Sequence, residues 1–269
     1  MPLLAPALCL LWLAGASQDA TAPSPANAGP EMEEPAEEPA GGAGVSPVEL
    51  IPRLELRQSF TRLTGDVSFH DTILEMDIEF LRRLLLRYQV PARLMETPAG
   101  QVSGIGDLQV TLIGILASNP RLVVAAIAGT ELDTATHPQL GDGKQELIFG
   151  AGAALKSTRW WLAYAVVQQQ FSVGGDPARP EVNRLATDFG SILFGRQFNW
   201  LKLDVTTTVD FPGGPTARVY GQGELGALVI DRVGLFLRSG TQLLGPRLVD
   251  YTVIAGVRYL FRLGTSRPP

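Results

Sequence analysis

Side chains able to do covalent or proton-transfer chemistry are scarce in this sequence. Its only cysteine is Cys9 and its two histidines are His70 and His137. A Ser-His-Asp relay needs an imidazole held between a hydroxyl and a carboxylate. Both histidines fall in predicted long loops, and no G-x-S-x-G stretch occurs. His137 stands before Pro138 in a polar run, as a solvated loop residue would. A zinc site needs convergent His or Cys ligands; Asp133 with Asp142, or the Gly174–Asp176 turn, offers at most a loose calcium pair. Gly141–Lys144, a G-D-G-K run, lacks the spacing, preceding strand and following helix of a phosphate loop. The expectation is a protein that is not an enzyme, with no catalytic residue, no metal and no cofactor.

The chemistry this chain does carry is charge at alternate positions. Glu75, Asp77 and Glu79 alternate with Leu74, Met76, Ile78 and Phe80. Arg87 and Arg93 alternate with Leu86, Tyr88, Val90, Ala92 and Leu94, and Asp107 and Gln109 with Leu108 and Val110. Gln168 and Gln170 share a face with Ser172. Lys202, Asp204 and Asp210 oppose Leu201, Leu203, Val205, Val209 and Phe211. Arg218 and Glu224, then Arg238, then Arg258 mark the polar faces of the last three segments. A two-residue period is the signature of a strand with unlike faces. Glu75, Asp77 and Glu79 are placed to face Arg87 and Arg93, and Lys202, Asp204 and Asp210 to neighbour Arg218 and Glu224. Each such cross-strand pair stabilises a sheet by about 0.2–1 kcal/mol. The charges form a structural ladder in a wet interior, line a solute path, or do both.

Twelve candidate strands, most of about 9 to 13 residues, run from Arg53 to Phe261. That length suits a tilted strand crossing a bilayer. Residues 81–88 also fit a helical face, but Pro91 belongs in an edge strand or a bulge. Long connections are predicted at 64–71, 97–103, 133–144, 174–182, 212–215 and 245–249, alternating with tight turns. Loops of unequal length at the two ends characterise an outer-membrane barrel. The loop positions Asp133, His137, Asp142, Lys144, Asp176, Arg179 and Asn183 are then extracellular. A soluble sandwich or a lipocalin-like protein shares the alternation. Twelve strands, however, enclose more space than side chains fill, since about eight suffice for a packed interior. The apolar face must therefore look out to lipid. Aromatics near the strand ends fit two interfacial rows: Phe60, Phe171, Phe211 and Tyr251 in one, Phe80, Trp161, Tyr259 and Phe261 in the other.

The termini differ from this body. Residues 1–16 hold an apolar run ending in Ala14-Gly15-Ala16, a secretory signal peptide by pattern. Cleavage there removes Cys9 and with it every disulfide and thiolate site. Residues 17–47, with six prolines and no aromatic, form a disordered acidic leader placed in the periplasm. Without the leader's six acids the formal charge moves from −5 to +1, and no basic face invites nucleic acid. Residues 48–263 are the barrel and 264–269 a C-terminal extension. No apolar run approaches the length of a membrane helix; the richest, Leu122–Ala128, has seven residues.

Several of these stretches carry a family resemblance. They are SGIGDLQ (Ser103–Gln109), AGTELDTATHPQLGDGKQEL (Ala128–Leu147), Trp161 followed by Gln170–Asn183, and the closing GVRYLF (Gly256–Phe261). Across residues 72–262 the sequence resembles the bacterial outer-membrane family labelled "MetA-pathway of phenol degradation", described as transporters. The resemblance implies an all-β, transmembrane, up-and-down antiparallel barrel in the outer membrane of a Gram-negative bacterium. It implies a channel or transporter, porin-like, for small hydrophobic or aromatic organic solutes. Outer-membrane lipid and the barrel-assembly machinery are the implied partners, the latter reading Gly256-x-x-Tyr259-x-Phe261. The alternative is a plugged, structural barrel whose loops or leader bind a partner.

Overall fold

The computed structural model describes residues 45–47, 50–81, 83–158, 160–195, 199–230 and 232–261. The signal peptide, most of the leader and the C-terminal extension lie outside them. Within them the chain is all strand and turn: β1 (Arg53–Leu63), β2 (Val67–Leu81), β3 (Leu84–Thr97), β4 (Gly100–Ile105), β5 (Leu108–Ser118), β6 (Leu122–Leu132), β7 (Lys144–Thr158), β8 (Trp161–Gly175), β9 (Asn183–Phe194), β10 (Asn199–Asp210), β11 (Thr216–Ile230), β12 (Val233–Leu244) and β13 (Val249–Leu260). Neighbours in sequence pair antiparallel, and β1 pairs with β13, which closes the sheet. Because β4 and β5 both pair with β3, they are two halves of one wall strand. The result is a closed barrel of twelve strands.

The break between β4 and β5 follows from Pro91. Gln89 pairs with Gln109 and Ala92 with Ile105, so two residues of β3 face three of the opposite chain. One extra residue is a β-bulge, which bends the wall. Proline has no N–H to give the ladder, and at the bulge none is needed: its carbonyl accepts the Gly106 N–H at 2.9 Å. Residues 81–88, ambiguous by pattern, lie on β2 and β3 apart from the tight connection between them.

Two predicted loops are shorter than their composition suggested. The first spans only Thr64–Asp66, where Gly65 and Asp66 both take positive φ (89° and 62°). His70 is therefore a strand residue, and its ring lies 4.8 Å from that of Phe60 in an outward aromatic row with Tyr251. The second shrinks to a hairpin closed by Thr97 and Gly100, and the rest of 97–103 is β4. In both places polar residues belong to strand ends that project beyond the apolar band, where sequence alone resembles a loop. Lys144 and Asn183 are likewise the first residues of β7 and β9 rather than loop residues.

The burial pattern is inside out. Leu54, Leu56, Leu74, Phe80, Leu203, Val205, Leu225 and Leu237 are exposed on the outer face. Glu55, Glu75, Asp77 and Glu224 are each 1 % exposed. The interior is more crowded than strand number implies. Towards the short-turn end it is filled by Leu85, Ile113, Ala125, Leu162, Ile192, Trp200 and Phe236, joined by Val45 from the chain preceding β1. Val45 and Ser46, grouped by composition with the solvated leader, are buried and belong to the barrel body.

Candidate functional site in the barrel interior

Above that apolar layer, inward rows of adjacent strands bring charges together. On β1–β3, Arg53 donates to Glu75 at 2.7 Å and its Nε lies 3.2 Å from Asp77. Arg57 reaches Glu55 and Glu75, each at 2.9 Å, and Arg87 donates to Asp77 at 2.8 Å. Across the closing seam Arg258 donates to Glu55 at 2.7 Å. Each carboxylate thus serves two or more guanidiniums, an arrangement that compensates charges removed from bulk water.

A second group lies on β10–β13. The Trp200 indole N–H donates to Glu224 at 2.7 Å, and Arg238 Nε donates to the other oxygen at 2.8 Å. Arg258 sits over the rings of Phe236 and Trp200, 5.1 and 5.7 Å from their centroids, which adds cation–π attraction. Trp200 fits because Gly226 faces it; a Cβ there would lie 2.1 Å from the indole. Lys202 is 3.4 Å from Asp204, and its ammonium lies 5.3 Å from the centre of the Tyr164 ring. Gln222 also donates to Asp204.

Towards the long-loop end, Arg93 pairs with Asp71 at 2.9 Å, and Asp210 binds both Arg184 and Arg218. Asp107 has a different role. Its Oδ1 accepts the N–H groups of Thr134 and Ala135, both at 3.0 Å, and its Oδ2 accepts that of Asp142 at 2.8 Å. Because Asp107 points inward, the 133–143 loop is folded into the mouth of the barrel. Leu140 is fully buried there, and its carbonyl accepts from Arg93 at 3.0 Å. Arg179 clasps the loop through the Pro138 carbonyl. Lys144, nearly buried, donates to Glu181 at 2.8 Å. That bond, with a second from the Ser172 hydroxyl, holds the Glu181 carboxyl below its ordinary range.

Among the residues singled out by sequence, Glu75, Asp77 and Arg87 meet in the first group, and Lys202, Asp204, Glu224, Arg238 and Arg258 in the second. Asp210 with Arg218, and Arg93 with Asp71, form separate pairs nearer the mouth. Arg93 is not a partner of Glu75 or Glu79: its register mate on β2 is Asp71. Glu79, Gln109 and Gln168 are half-buried on inward rows, and Gln170 bonds Glu146. Asp133, His137, Asp142 and Asp176 are exposed in loops. Sequence reasoning missed Glu146 and Arg184, and also Arg53, Glu55 and Arg57, whose inward parity was legible beside Leu54 and Leu56. It also missed the buried Tyr164, Trp200 and Phe236, which belong to neither of the two outward aromatic rows.

A closed twelve-stranded barrel, apolar outside and charged inside, is the architecture of outer-membrane channels. Solved structures share this fold. An outer membrane channel from Pseudomonas putida F1 superposes with a TM-score of 0.64 at 14% identity, over 82% of this chain and 98% of that one. The NanC porin follows with 0.59 at 9%, over 77% and 98%. The KdgM porin in complex with disordered oligogalacturonate gives 0.51 at 8%, over 78% and 99%. At these identities the likeness is one of fold. No family model matches the sequence, and no curated protein does either.

Proposed function

We propose that this protein is an outer-membrane channel that admits small organic solutes, exported by its signal peptide and inserted by the barrel-assembly machinery. The observation that carries this reading is the inversion of polarity. Apolar side chains cover the outside of the barrel, while ionised ones are gathered within, a distribution stable only in lipid. The porin-like fold supports it. The motif resemblance to the phenol-degradation family points to hydrophobic or aromatic compounds as the solute class. Charged rows on β10–β12 and β1–β3 would border the path.

One observation favours the alternative of a plugged, structural barrel: the short-turn end is packed by Trp200, Phe236, Leu85 and Val45. Single-channel recording of purified protein in planar bilayers, with solute flux into proteoliposomes, separates the two. Discrete conductance steps and flux support the channel. Their absence from correctly folded barrel would leave the structural reading.

A further inference from the structure

The 133–143 loop leaves and rejoins the wall at two acids. Glu131 on β6 and Glu146 on β7 are register partners and form the last rung before the loop. Both lie on inward rows, Glu131 in line with the buried Ala125 and Ile127, Glu146 in line with the buried Ile148. Like charges directly opposite each other in an antiparallel pair repel. A carboxylate removed from water also needs a counter-charge or a full set of donors. The buried Glu55, Glu75, Asp77 and Glu224 each meet a guanidinium. The loop-root pair does not.

Glu146 is 0 % exposed. Its Oε2 accepts from the Gln170 amide, which also reaches Glu131 at 3.5 Å. One neutral donor group is thus divided between two carboxylates. The other oxygen, Glu146 Oε1, is buried with no hydrogen-bond partner. Two basic residues on the same inward rows are committed elsewhere. Lys144, two positions before Glu146, donates to Glu181 at 2.8 Å. Arg184, the register partner of Gln170, donates to Asp210 at 2.8 Å. Asp107 and Asp142 lie near enough to add to the negative potential at Glu131. Among the described residues no three His, Cys, Asp or Glu side chains gather as metal ligands, so the charge at this rung is that of two carboxylates, which one divalent ion neutralises.

We infer that Glu131 and Glu146 form a calcium site at the root of the 133–143 loop, and that the bound ion clamps the loop to the wall. Glu146 Oε1 is the oxygen aimed at the ion. Gln109, the register partner of Glu131 on β5, is placed to add its amide oxygen. Calcium accepts irregular shells of carboxylate and amide oxygens, whereas magnesium demands octahedral geometry and keeps several waters. The complete burial of Glu146 leaves no room at Oε1 for a hydrated ion or an organic cation. Without calcium the two roots repel, and the loop is held only from Asp107. The site is independent of whether the lumen conducts.

Barrel purified in detergent and stripped with EDTA is titrated with calcium chloride by calorimetry. Hydrogen exchange in residues 133–143, corrected for intrinsic rate, is followed in parallel. The expected result is one calcium per barrel and slower exchange in the loop when it binds. Glu131→Gln and Glu146→Gln should each weaken binding by at least about tenfold, and the double variant should not bind. Because the double variant also removes the repulsion, its loop should exchange more slowly without calcium than that of calcium-free wild type. No binding by folded wild-type barrel would overturn the site, as would undiminished binding by the double variant. A loop protected by mild acid but not by calcium would overturn it in favour of a proton shared by the pair. Equal exchange in the calcium-free double variant and calcium-free wild type would refute the clamp, since the carboxylates would then exert no push on the loop.

Discussion

Replacing Glu75 tests whether the short-turn half of the barrel is dry. Its carboxylate binds Arg53 at 2.7 Å, Arg57 at 2.9 Å and Arg87 at 3.3 Å, and the residue is 1 % exposed. Hydrogen bonds from Arg53, Arg57 and Gln89, at about 1.5–3 kcal/mol each, set an upper bound on its contribution, to which the Arg87 ion pair adds. The true loss is smaller, because each guanidinium keeps a second carboxylate: Arg53 and Arg87 keep Asp77, and Arg57 keeps Glu55. What remains is the penalty for one broken buried ion pair, about 3–5 kcal/mol for Glu75→Ala. Glu75→Gln retains an acceptor oxygen and belongs at the lower end of that range. Were water to reach these charges freely, the loss would fall to the 0–1 kcal/mol typical of surface pairs, on the order of the measurement error. Urea unfolding in detergent micelles, followed by tryptophan fluorescence and by the mobility of unboiled protein on gels, reads the difference. A loss below about 1 kcal/mol in both variants would refute the dry, packed interior.

Three further outcomes are expected. Gly226→Ala places a methyl 2.1 Å from the Trp200 indole, which is itself pinned by Glu224; the overpacking should destabilise by about 1–3 kcal/mol in the same urea assay, whereas no loss would mean that Trp200 is free to move. Because the Glu181 carboxyl is held below its ordinary range, its bond to Lys144 should persist at neutral pH and be lost only as acidification passes that lowered value. Hydrogen exchange in residues 176–182, corrected for intrinsic rate, should therefore be faster in Glu181→Gln at neutral pH; identical exchange would dismiss the clasp. In a Cys9→Ser background, Thr136→Cys should react with an impermeant thiol reagent on whole cells and Ser118→Cys should not, which orients the barrel. The reverse pattern would place the long loops in the periplasm.

Most of the wall was legible in the sequence because one side chain in two must face lipid. Leu201, Leu203 and Val205 against Lys202 and Asp204 define a strand, its two faces and its neighbours with no tertiary information. Pro91 even marked where the ladder would break, although a proline alone does not reveal which neighbouring strand bends. The interior was read less well. Alternation says that Trp200 and Phe236 share a row with Lys202 and Arg238. The rule that apolar residues of a membrane barrel look outward overrode it. That rule fails when the interior is packed, and packing depends on residues far apart in the chain, such as Val45 against β10 and β12. Strand ends that rise above the apolar band, as at His70 and residues 100–105, look like loops because both of their faces meet water.

The seam between β1 and β13 bears on how the barrel is made. The Arg258–Glu55 bond joins residues 203 positions apart, and the rung Arg53–Leu260 unites nearly the full length of the described chain. The loop that must close before these contacts form is the longest the barrel contains, and loop-closure entropy has to be met before such contacts reward it. Until the last strand arrives, β1 and β12 are bare edges, and Glu55 on β1 lacks the guanidinium of Arg258. Assembly is therefore gated by completion of the C-terminal strand. A truncation that removes β13 would leave an open sheet with two adhesive edges, prone to aggregate, rather than a slightly weaker cylinder.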